Sequence, residues 1–240
     1  MFNFDPEYLK IQLMFLVMRL PIALLAIAIH ESAHGFIAHK CGDDTAYNFG
    51  RITLNPLKHF DLVGFLCMIL VGFGWAKPVP VNSRKFRKYK SGMILTSLAG
   101  PASNLILGFI FAVIARLTYG PISKQMLTAA TSQQATLWWC LYFMLYVGIQ
   151  LNIALAVFNL LPIPPLDGSK ILFSLLPYKV YYKIMPYEKY ISIAFIVLLI
   201  VGPMDTVISV GTEFVTNLFF TVLGFNGSIL NNMLLYFPFI

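Results

Sequence analysis

Residues 24–39 read LLAIAIHESAHGFIAH, and this run decides how the rest of the chain is read. Leucine, alanine and isoleucine continue straight into His30, Glu31 and His34. On a helix, positions four apart share one face, one turn above the other. His30 and His34 so placed are an H-E-x-x-H pair able to bind one Zn²⁺. Glu31 projects about 100° from His30 and about 60° from His34. That direction lets it reach a metal-bound water without ligating the metal, to take a proton and later deliver it. Ser32 and Ala33 are small and keep the site open. The plain alternative is a pair of core histidines satisfied by their neighbours. Cost weighs against it, because a charged group at the centre of an inserted helix costs about 2.5–3.5 kcal/mol, and polar groups at that depth mark function by default.

The setting is a membrane. The chain has 240 residues, 58% hydrophobic and 11% charged, with a mean hydropathy of +0.76, whereas a soluble domain carries about 25% charged residues. These values predict an all-α polytopic membrane protein of about 4–6 transmembrane helices, organised as a single domain over 1–240. The net charge of +7 lies in loops between apolar runs and forms no nucleic-acid motif, so no nucleic-acid partner is expected. Cys41, Cys67 and Cys140 are scattered and form no CxxC pair, so neither a disulfide framework nor a thiolate zinc site is indicated. The N-terminus does not read as a cleavable signal.

Outward from the motif, Pro21 predicts a kink or restart in the first helix. GRITLNP (50–56) alternates and ends in Asn-Pro, which reads as a short strand and turn. AKPVPVN (76–82) is extended by its prolines and is a plausible edge partner, giving a small β-hairpin near the site. A substrate could add to that edge by β-augmentation. Residues 62–73 are apolar but too short to span, which suggests a re-entrant or buried segment. A span over 92–118, interrupted by AGPASN, is followed by a polar link over 119–135 and a further span over 136–161. Residues 191–210 are apolar enough to span, and 176–240 supply additional C-terminal helices.

Lys and Arg number nine across 40–90, four across 170–189, two across 116–135, and none after Lys189. The positive-inside rule then puts 40–90 and 170–189 in the cytoplasm and the site toward that side. A catalytic zinc takes three protein ligands and keeps a place for water. Asp167, in NLLPIPPLDGSK after a span, is the leading third candidate, with N-cap of the following helix as its other role. Gly168 beside it permits close approach. His39, His59, Asp43, Asp44 and Asp61 are weaker candidates in a polar loop.

H-E-x-x-H inside a span, AGPASN (99–104) in the next long span and NLLPIPPLDG (159–168) after a further one together resemble the site-2 protease family of intramembrane zinc metalloproteases. GRITLNPLKHFDLVG (50–64) and KPVPVN (77–82) are similar to its bacterial members. The resemblance covers about residues 20–175. It implies one Zn²⁺ per chain held by His30, His34 and Asp167, with Glu31 as general base and acid. It implies that Asn159 lies close to the metal, where it could bond a substrate carbonyl or oxyanion, and that Asn104 faces the site. It further implies an endopeptidase acting on transmembrane segments or signal-peptide remnants in a bacterial cell membrane, with transmembrane proteins and the bilayer as partners. Many members insert a PDZ domain between the second and third motifs; the short link here leaves no room, so this resembles a minimal member. Two other classes remain: a membrane metal-ion carrier, against which stand the lack of a second polar span and of an inverted repeat, and an inactive relative that only binds transmembrane helices.

Overall fold

The HESAH stretch lies near the C-terminal end of α1 (Pro6–Lys40) in a computed structural model that describes residues 6–71, 74–128 and 132–224. Helix α1 continues through Pro21, so, of the expected kink or restart, the helix does not restart there. A short helix α2 (Thr45–Asn48) and a ten-residue helix α3 (Leu62–Val71) precede α4 (Tyr89–Thr128) and α5 (Ser132–Leu160). The expected interruption at AGPASN is absent: α4 runs helical through Pro101 and takes in most of the expected polar link. Then come α6 (Asp167–Leu175), α7 (Tyr178–Ile184), α8 (Glu188–Val201) and α9 (Pro203–Val222). Gly202, at φ 95°, ends α8, and Pro203 opens α9. A left-handed glycine followed by proline at the first helical position is a stop-and-restart pair, and the two helices bend by 81° there.

Among the described residues, three helical stretches are long and apolar enough to cross a membrane: Leu13–Lys40, Tyr89–Gly120 and Leu137–Leu160. Counting the bent α8–α9 pair as one span makes four, the low end of the expected range. The last residues of the C-terminal tail, 225–240, lie outside the described residues, as do 72–73 of the expected re-entrant segment.

Helices α1, α4 and α5 pack on one another, and α9 packs on α5. Small side chains, Ala26, Ala28, Ala112, Ala115 and Ala156, are buried at these contacts, which lets backbones approach where water supplies no driving force. Larger groups fill the remainder: Tyr142, Ile149 and Ile153 of α5 with Phe220 of α9, and Trp139 and Phe143 of α5 against Met18 and Ile22 of α1.

The β-hairpin is corrected: no strand occurs among the described residues. Segments 50–56 and 76–82 do lie side by side, since the Arg51 guanidinium donates to the carbonyls of Lys77 and Pro78 at 2.8 and 3.2 Å. Pro78 and Pro80 have no N–H, and the Val79 N–H between them donates to Glu31 Oε2 at 2.7 Å. A ladder has too few donors to run on. Asn-Pro opens a single 3₁₀ turn, with Asn55 Oδ1 accepting from Leu57 N.

Asp43 fixes the far end of this cover. It is wholly buried, accepts from Thr45 N and Oγ1 on one oxygen and from Asn82 N at 2.6 Å on the other. Burial would push its carboxyl up, but these donors and Lys85 outweigh that and hold it below the usual carboxylate range. Its stabilisation is therefore complete above about pH 4 and is lost only as pH falls through the depressed value. Asp43→Ala is expected to cost about 3 kcal/mol at neutral pH, read as a lower unfolding temperature in detergent.

Candidate metal centre

Two elements converge on one point. His30 and His34 come from α1, and Asp167 is the first residue of α6. All three are buried. The two Nε2 atoms stand 3.0 Å apart, and Asp167 Oδ2 lies 3.4 Å from His30 Nε2 and 3.0 Å from His34 Nε2. Tetrahedral zinc with ligands at about 2.0–2.1 Å spaces its donor atoms by about 3.3 Å, which these separations match.

Hydrogen bonding fixes which nitrogen of each ring faces the metal. The Thr96 carbonyl can only accept, so His34 Nδ1–H donates to it at 2.7 Å. For His30 the chain is longer. The Gly148 carbonyl accepts from Asn152 Nδ2 at 2.8 Å, so Asn152 Oδ1 accepts from Asn104 Nδ2 at 3.1 Å. Asn104 Oδ1 is left to accept from His30 Nδ1–H at 2.6 Å. In the neutral form that a metal needs, both imidazoles would thus turn an Nε2 lone pair inward, to meet a carboxylate oxygen. Three acceptors this close repel unless positive charge sits among them; a shared proton serves one pair at a time, a divalent cation serves all three.

Room for that cation comes from Gly100 on α4. A Cβ built there would fall on the Nε2 atoms of both histidines. Gly168 has a different reason: its Cβ would collide with the carbonyls of Leu160 and Leu161, so only glycine lets α6 begin against the end of α5. Asp167 is not the cap that its position suggests. Leu166 stands at the N-cap position, and the Asp167 carboxylate is turned instead to the imidazoles and to Lys170 Nζ at 2.9 Å. Burial would push this carboxyl up, but His30, His34 and Lys170 outweigh burial and hold it well below the usual carboxylate range.

Glu31 and Asn159 line the same cavity of about 390 Å³ as the three ligands. Asn159 Nδ2 donates to Leu155 O at 2.9 Å, tying the amide to its own helix. Asn104, expected to face the site, is wholly buried with both ends of its amide engaged. It stands behind His30, out of substrate reach. The weaker candidates do not join the cluster: His39 pairs with Asp44 at 2.6 Å on the surface, Asp61 accepts from Gly64 N, and His59 Nε2 bonds Thr53 O.

The model of Peptidase family M50 matches residues 20–202. The chain belongs to this family. Its relatives include the candidate zinc metalloprotease YwhC of Bacillus subtilis, 42% identical over 179 residues, covering 74% of this chain and 77% of YwhC. The candidate zinc metalloprotease MJ0611 of Methanocaldococcus jannaschii is 31% identical over 157 residues, covering 63% of this chain and 69% of MJ0611. Rip2 of Mycolicibacterium smegmatis, named likewise, is 30% identical over 150 residues, covering 60% of this chain and 52% of Rip2. No solved structure matches the chain. Zinc is the cofactor that family membership and these names imply, and His30, His34 and Asp167 of this M50 chain fit it in donor type, spacing and room.

The sequence reading missed Asn152. Its signal was present, an amide in the apolar run IQLNIALAV where polar groups are expensive. Asn152→Leu keeps the volume but removes the tie on Asn104, and is expected to lower zinc affinity about 10-fold, measured by competition with a metal-sensitive dye.

Proposed function

We propose that this chain is an intramembrane endopeptidase that hydrolyses peptide bonds in transmembrane segments or signal-peptide remnants of membrane proteins. The supporting observation is the convergence of two Nε2 lone pairs and Asp167 Oδ2, with the Glu31 carboxylate on the wall of the same cavity. When bound, zinc supplies the Lewis acidity that makes water a nucleophile at neutral pH and polarises a carbonyl. Glu31 accepts the proton of the attacking water and returns it to the departing amine. The Val79 N–H holds Oε2, which leaves Oε1 for that transfer. Asn159 has a second amide N–H to offer a developing oxyanion. Asn104 orients His30. The site faces the cytoplasm, where the loop over 40–90 concentrates Lys and Arg.

The test is cleavage of a labelled transmembrane peptide by the full chain in lipid nanodiscs. Hydrolysis should stop on chelation and return with zinc. Chelator-insensitive cleavage, or zinc flux into liposomes with no cleavage, would reject the proposal.

A further inference from the structure

Two more cavities share lining residues with the metal chamber, and they differ in kind. One, of about 430 Å³, runs back along α1 from Glu31 to Leu20 and is walled by Leu24, Ile27, Phe158 and Phe195. It shares His30, Glu31, Asn159 and Pro165 with the metal chamber. The other, of about 690 Å³, lies between the start of α4 and helices α6, α7 and α8. It shares Met93, Pro165 and Lys170 with the metal chamber. Pro165 borders all three, which puts the apolar cavity and this last one both beside the metal chamber.

The last cavity is basic. Lys90, Lys170 and Lys189 line it against a single carboxylate, Glu188. Lys90 Nζ sits 5.5 Å from the centroid of the Tyr178 ring. Resting on the proposed peptidase reading, we infer that this cavity binds the flank of the substrate beyond its apolar segment and selects acidic residues there. Ordinary transmembrane segments carry Lys and Arg at their cytoplasmic ends. Lys170 is paired with Asp167, which leaves the ammonium groups of Lys90 and Lys189 to repel such a flank and attract an acidic one, so basic flanks are turned away by charge while the apolar cavity accepts any apolar segment. The metal chamber alone, where histidines, Asp167 and Glu31 leave little free positive charge, gives no such discrimination.

The test uses the full chain carrying Glu31→Gln, zinc-loaded, in phosphatidylcholine nanodiscs. Fluorescent peptides share one leucine-alanine segment and differ only in an acidic, neutral or basic flank. The acidic peptide should bind about 10-fold more tightly than the basic one, the size expected of a few exposed ion pairs. Lys90→Glu with Lys189→Glu should reverse the order without changing zinc content; Lys170 is left intact because it holds Asp167. Equal affinities, no binding of any peptide, or an order that survives the reversal would overturn the inference. So would loss of the preference when phosphatidylglycerol is added, which would make a lipid headgroup the occupant. Cleavage of the same peptides by the unsubstituted chain judges the peptidase reading separately: tight acidic binding without cleavage would sink that reading and leave the selectivity standing.

Discussion

Glu31→Gln is expected to leave zinc stoichiometry unchanged and to lower peptide hydrolysis by about 10²–10⁴-fold, the usual worth of a positioned acid–base group. Glutamine keeps the shape and can still accept the Val79 N–H through its side-chain carbonyl, so the cover over the site stays in place. What it loses is the ability to take a proton. None of the three metal-facing atoms belongs to Glu31, which is why zinc should persist. Zinc counted by elemental analysis beside a cleavage rate separates the two effects. Normal cleavage would remove Glu31 from the chemistry, and loss of zinc would make it a ligand or a structural support.

Gly100→Ala should have the opposite signature, an intact base and no metal. The added methyl occupies the point where the imidazoles meet, and it is carried on the backbone of α4, a helix packed on both α1 and α5, which cannot give way. Zinc affinity should fall by more than about 100-fold, beyond the range for losing an outer hydrogen-bond partner. Gly108→Ala on the same helix is the control, because its nearest neighbours stand at ordinary contact distances of 3.4–3.5 Å. If both variants hold zinc equally, the metal does not lie between the histidines and α4.

Much of this was legible in the sequence, for a physical reason. Charge is costly in an apolar helix, so His30, Glu31 and His34 stood out, and a proline-rich break before Asp167 announced backbone that could bring a carboxylate back to them. The unread parts depended on what lay across the bundle. That His34 leans on the carbonyl of Thr96 has no side-chain signal at all. Gly100 carries no side chain to mark it, yet its close approach is to the ligands themselves. Proline spacing suggested a strand at 76–82, whereas counting its amides would have argued against one. Pro101 and the polar link predicted breaks, but α4 stays helical through Pro101 and into the link as far as Thr128, since packing against α1 and α5 outweighs local preference.

The cover segment limits how a guest chain can be held. Of its amides from 77 to 82, Lys77 is bound to the His59 carbonyl, Val79 to Glu31 and Asn82 to Asp43, and two residues are proline. Only Val81 remains on offer. On the proposed peptidase reading, a peptide lying along it would find one N–H donor where a sheet edge would give several, so its register would be set by what fills the hollows on either side of the scissile bond, and a residue too large or wrongly charged there would shift the cut or prevent it.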